Sequence, residues 1–180
     1  MKILGKYATI LFSLFIITLF VISNVPANTA VYYHLPYLHT STNNVVYCLT
    51  SNMSSENMTV SFTVDSADND TPTSTTQTFS TASLLKSSMT RQIAFSGKTA
   101  SVYSPVTGYE TLTLPSTDVG TSGAYGGTLS FIDTVSFDSS GIQASCLNIL
   151  MTCLQGLTAP KRAVTGILCE DNVTGYTVAH

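Results

Sequence analysis

The sequence predicts a mainly β protein: a single antiparallel β-sandwich of immunoglobulin-like or jelly-roll-like kind, carried behind an N-terminal export signal or membrane anchor. Three observations lead there. Short apolar and hydroxyl-rich runs recur about every 8–14 residues with turn chemistry between them, as all-β domains require. Charged residues make up only 9% of the chain, against about 25% in ordinary soluble proteins, and serine and threonine take their place. The four cysteines are an even number, and they follow an apolar leader that would send them to an oxidising compartment.

The leader is Tyr7 to Ser23, an uncharged run preceded by Lys2 and Lys6 and followed by Val25-Pro26-Ala27. A charged start, an apolar stretch and small residues are the parts of an export signal, with cleavage expected before Asn28. An uncleaved anchor is the alternative, since such a run at 1.5 Å per residue reaches about 25 Å, the short end of a membrane span. The chain therefore divides into a signal or anchor over 1–27 and an exported domain over 28–180. If uncleaved, the N-terminal segment contacts the membrane. Loss of Lys2 and Lys6 moves the formal charge from −3 to −5, which argues against nucleic acid as a partner.

Val31 to Tyr37 opens the domain as an extended aromatic segment, and Pro36 is expected to place it at an edge or to end it. Val45 to Leu49 and Met58 to Val64 read as strands joined into a hairpin by Thr50 to Asn57. The second of these alternates with period two, so Val60, Phe62 and Val64 should face a core. Asp65 to Thr78 is a polar loop. Thr78 to Leu85, Met89 to Phe95, Thr99 to Ser104 and Glu110 to Leu114 are further strands, and Pro115 to Gly127 is a second loop. Thr128 to Ile132 resumes the alternation, with Thr134 to Phe137 as its continuation. Gly141 to Gly156 is the longest apolar run beyond the leader, and it fits either a buried strand or one short helix near 142–155. The β context favours a strand. Ala163 to Cys169 and Thr174 to Val178 complete the series.

Cys48, Cys146, Cys153 and Cys169 suit two disulfides better than a metal site, because no C-x₂-C pair is present. Spacing favours Cys153–Cys169 across a short loop and Cys48–Cys146 tying the first strands to the tail. Asp65, Asp68 and Asp70 form the best metal candidate, oxygen ligands on one loop that suit Ca²⁺, although their spacing matches no EF-hand. No other cofactor is implied. His34, His39 and His180 show no ligand spacing. Gly120 to Ala124 lacks the second glycine of a nucleophile elbow. Four N-x-S/T sequons start at Asn52, Asn57, Asn69 and Asn172. Lys161-Arg162 is a basic pair suited to an acidic partner. The tyrosines, four of them within Tyr32 to Tyr47, serve as strand residues or as a stacking platform for a glycan. No motif names a reaction. A non-enzymatic role in structure, adhesion or binding to a protein or glycan is the expected function, and a secreted hydrolase with loop-borne residues is the alternative.

Overall fold

The computed structural model of the chain describes residues 28–68, 71–134, 141–156, 162–164, 166–175 and 177–179. The leader over 1–27, the continuation at 135–137, Asn69, Asp70, Lys161 and His180 lie outside them. Among the described residues, no helix is long and apolar enough to cross a membrane.

Two antiparallel sheets stack face to face. The strands are β1 (Ala30–His39), β2 (Val46–Asn52), β3 (Met58–Ala67), β4 (Thr76–Thr78), β5 (Met89–Ser96), β6 (Thr99–Ser104), β7 (Gly108–Thr113), β8 (Ala124–Asp133), β9 (Ile149–Gln155), β10 (Arg162–Ala163), β11 (Leu168–Asp171) and β12 (Thr177–Ala179). One sheet runs β12-β11-β1-β8-β3-β4 and the other β10-β9-β2-β5-β6-β7. A four-residue helix, α1 (Ser116–Val119), and a 3-10 turn at Thr81–Ser83 are the helical pieces of the described residues.

The alternation read in Met58 to Val64 sets the packing. Val60, Phe62 and Val64 are all buried, and the Phe62 ring lies 4.8 Å from that of Phe95 on β5, across the sandwich. Tyr33 meets Phe131 edge to face at 6.2 Å, the arrangement that the aromatic quadrupole favours. Two buried tyrosines also bridge the sheets through their hydroxyls. Tyr33 on β1 donates to the Ile149 carbonyl, and Tyr125 on β8 donates to the Gly97 carbonyl at 2.9 Å. Burial pushes both phenols up, so they remain protonated donors.

Several expectations are corrected. β2 and β3 do not form a hairpin; they belong to different sheets, and Thr50 to Asn57 crosses between them. Asn52 holds that crossing, its amide donating to the Glu56 carbonyl at 2.7 Å and the Leu85 carbonyl at 3.1 Å. Pro36 neither ends β1 nor puts it at an edge. β1 is interior, between β11 and β8, and Pro36 falls where the register shifts between Leu35 and Leu38. A bulge leaves the ladder unpaired there, so the missing N–H of proline costs no bond. Thr78 to Leu85 is not one strand: Thr78 ends β4, a 3-10 turn follows at Thr81–Ser83, and Leu85 makes an isolated bridge to Met58. The loop from Pro115 contains α1 and the start of β8. In Gly141 to Gly156 the strand covers only Ile149–Gln155, and no helix forms.

The cysteine pairing also differs from the expected one. Cys48 joins Cys153, and Cys146 joins Cys169. β2 and β9 are neighbours in one sheet, and Cys48 stands directly opposite Cys153 in their register. Cys146 lies in the segment before β9 and reaches β11 in the other sheet. The first bond therefore staples two strands of one sheet, and the second ties the two sheets together.

Candidate functional site

A chain with few charges uses its carboxylates sparingly, and most of those that are buried hold loops. Asp118 on α1 is fully buried and accepts from the Thr73 N–H at 2.9 Å, the Thr75 N–H at 3.1 Å and the Thr73 hydroxyl. Burial pushes its carboxyl up, but these donors more than offset it and hold it below the usual carboxylate range. Asp171 at the end of β11 is also buried. It accepts from the Cys146 N–H at 2.9 Å, the Val173 N–H at 3.1 Å and both the N–H and hydroxyl of Thr174. Here too burial raises the carboxyl and the donors bring it below the ordinary value. Glu110 on β7 is half-buried and takes the Ser80 N–H at 2.7 Å, the Ser80 hydroxyl at 2.8 Å and the Ser83 hydroxyl. Each carboxylate is occupied by donors of its own chain.

The outer face of the first sheet carries one polar row. Glu170 on β11 stands 3.5 Å from Nε2 of His34 on β1, whose Nδ1 lies 2.9 Å from the Thr128 hydroxyl on β8. That hydroxyl donates in turn to the Asp65 carboxylate on β3. The row has the residue types of a nucleophile with its base and orienting acid. Its hydrogen bonding runs the wrong way for that chemistry. A carboxylate can only accept, so the Thr128 proton goes to Asp65 and the hydroxyl receives from His34 instead of giving to it.

Near one end of the same sheet, bulges in β1 and β3 lie opposite the start of β8. They frame a surface cavity of about 240 Å³ lined by Pro36, Ser66, Ala67, Asp68, Tyr125 and Gly126, among others. Gly126 is what lets the bulged strands close in, for a Cβ there would lie 2.9 Å from the Ser66 hydroxyl and 3.1 Å from the Leu35 carbonyl. Of the calcium candidates, Asp68 lines this cavity, Asp65 is held by Thr128, and Asp70 is outside the described residues. Among the described residues no group of three His, Cys, Asp or Glu is placed to hold a metal ion.

The outer face of the second sheet is different in kind. From β9 through β2, β5 and β6 to β7, the outward positions carry Leu, Tyr, Thr, Ser, Gln and Ala and no charge. Leu49 and Leu150 are exposed there. Tyr103 and Tyr109 stand opposite each other on β6 and β7, their rings 5.0 Å apart at 56°, with Tyr109 63% exposed. The ladder of side chains between them and the rest of the face is hydroxyl-rich, as in the Ser101–Thr111 contact at 2.9 Å. Such a surface can stack and hydrogen-bond a neutral partner but offers nothing to an ion.

Other sequence candidates fall in ordinary places. His39 accepts the Ser41 N–H at 2.9 Å, and the loop before β8 docks through reciprocal bonds between Thr40 and Gly123. Of the sequons, Asn52 is buried, whereas Asn57 and Asn172 are exposed. Sequence reasoning counted Tyr103 and Tyr109 among the tyrosines of a candidate stacking platform but did not single them out. The available signal was the absence of charge at alternate positions from Thr99 to Thr113. No family model, curated protein or solved structure matches the chain.

Proposed function

We propose that this chain is an exported, non-enzymatic β-sandwich that works by surface contact, in adhesion, binding or a structural role at the cell surface or in the periplasm. The observation that carries this reading is the uncharged outer face of the second sheet, with Leu49, Leu150, Tyr103 and Tyr109 exposed on it. Isolated exposed apolar residues are ordinary, but four of them on one sheet face free of charge suit a contact surface. The two disulfides suit an oxidising compartment, and the buried carboxylates already have partners within the chain. A protein or a neutral glycan surface fits the face, because tyrosine rings stack while their hydroxyls stay wet.

The test is retention of the purified protein on cell envelopes and on immobilised neutral polysaccharide. Tyr103→Ala with Tyr109→Ala should abolish retention while leaving the melting temperature nearly unchanged; retention equal to wild type would refute the reading. Protein recovered from outside the cytoplasm should begin at Asn28, and an intact Met1 would move the reading to a tethered ectodomain. A secreted hydrolase is the second reading; the Glu170–His34–Thr128 row has the residue types for it, but the Thr128 proton would first have to leave Asp65 for His34. Turnover in a hydrolase substrate panel that is lost on His34→Ala would establish it and overturn the first.

A further inference from the structure

We infer that the free edge of β7 is a strand-addition site through which two copies of this chain pair, antiparallel, about a two-fold axis at Thr111.

Among the described residues the two sheets have four edge strands, and three of these are short. β10 has two residues, and β4 and β12 have three each. β7 has six, pairs with β6 in continuous register without a bulge, and contains neither proline nor lysine. Those are the devices by which β proteins ordinarily protect an edge. Its one charge, Glu110, guards it only weakly, because the carboxylate is taken up by hydrogen bonds from Ser80 and Ser83. Among the described residues no strand pairs with the outer side of β7.

Which backbone groups are free follows from the ladder. The Leu114 N–H donates to the Lys98 carbonyl at 2.9 Å, in register with the Thr99–Thr113 pair beside it. In an antiparallel pair, hydrogen-bonded and non-bonded positions alternate. Gly108, Glu110 and Leu112 therefore exchange bonds with β6, while Tyr109, Thr111 and Thr113 turn their N–H and C=O outward. The side chains of these last three are all exposed on the uncharged outer face.

The strand is complementary to itself in one register. A two-fold axis perpendicular to the sheet keeps outward residues opposite outward residues. Centred on Thr111, it sets Thr111 opposite Thr111 of the second copy and Tyr109 opposite Thr113, so every free N–H and C=O of the three residues finds a partner. Glu110 then faces Leu112 of the second copy. Centring on Glu110 instead would oppose two carboxylates at the close spacing of about 4.5 Å and leave Thr113 unpaired. The favoured register also brings the Tyr103–Tyr109 pairs of both copies to either side of the axis and makes one continuous uncharged face. The inference stands apart from the functional reading, since self-pairing requires neither a glycan nor a surface partner.

The protein, purified in the N-terminal form its cell produces, should dimerise reversibly in sedimentation over a concentration series. Thr111→Lys sets two ammonium groups across the axis and should weaken the dimer by at least about tenfold, for which about 1.4 kcal/mol suffices. Thr111→Pro removes an outward N–H that no internal bond uses and should do the same. If the proline variant fails to fold, the lysine variant carries the test, because its side chain points to solvent. Thr111→Cys should give a covalent dimer on mild oxidation, since directly bonded partners stand about 5.5 Å apart, within disulfide reach. Tyr109→Cys should not. A monomer at every concentration would overturn the inference, even if the chain then captured a foreign strand. So would a dimer unchanged by both Thr111→Lys and Thr111→Pro, or cross-linking that is equal at the two positions.

Discussion

Removing the two disulfides one at a time should destabilise the protein unequally, and the order follows from the structure. Both bonds are buried and both join elements already held by packing, so the comparison cancels most of the cost of losing sulfur atoms. What remains is the effect on the unfolded chain. Cys48–Cys153 closes a loop with a sequence separation of 105, and Cys146–Cys169 one of 23. On the chain-entropy model these are worth about 4.7 and about 3.4 kcal/mol. Cys48→Ala with Cys153→Ala should therefore cost about 1 kcal/mol more than Cys146→Ala with Cys169→Ala. Urea unfolding reads both quantities, and the denaturant slope should rise in each variant, because a chain freed of a cross-link exposes more surface when unfolded. The reverse order would refute the loop argument. Non-reduced peptides linking Cys153 to Cys169 would refute the pairing itself.

Phe62→Ala should cost about 3–5 kcal/mol, because the ring is fully buried against Phe95; a loss under about 1 kcal/mol in urea titration would mean that β3 does not face the core. Thr50→Val should leave stability unchanged or raise it by roughly 1 kcal/mol, since among the described residues the Thr50 hydroxyl is buried without a partner, and a clear fall in melting temperature would contradict this. Asp118 and Asp171 sit below the usual carboxylate value in the folded chain, so their contribution is present at neutral pH and lost as pH falls through the depressed values. Asp118→Asn should cost about 1–3 kcal/mol at neutral pH and flatten the acid limb of the stability profile, whereas a profile parallel to wild type would sink the assignment.

The parts of the fold that were legible in the sequence are those written in local patterns. Period-two alternation marked β3 and its buried face, and the apolar leader with an even cysteine count anticipated two disulfides. What was not legible depends on partners far away in the chain. Thr50 to Asn57 has the length and polarity of a hairpin turn, and only the bonds of Asn52 to Glu56 and Leu85 make it a crossing between sheets. Cys153 is nearer to Cys169 than to Cys48, but the long-range pairing of β2 with β9 brings Cys48 directly opposite. Proline at position 36 reads as a strand breaker until the bulge in β1 supplies a place where its missing N–H is not needed. The face around Tyr103 was hidden for a different reason. Its mark is a property of five strands taken together, and no single stretch shows it.

The scarcity of charge then links the fold to the proposed role. Carboxylates in this chain recur at the places where loops need acceptors: Asp118 under the segment after β3, Asp171 beneath the turn after β11, and Glu110 against the 3-10 turn. Each holds backbone N–H groups that would otherwise be costly to bury. Serine and threonine cover the outward positions of the second sheet and keep that surface wet without repelling a neutral or like-charged neighbour. A surface of this kind gives up the usual electrostatic protection against contact. At β10, β4 and β12 the short length of the described strands replaces that protection, and β7 has only Glu110, already bonded to Ser80 and Ser83. A weakly guarded edge beside an uncharged, tyrosine-bearing face is a liability in a solitary soluble domain. In a protein whose work is contact, both features serve the same end.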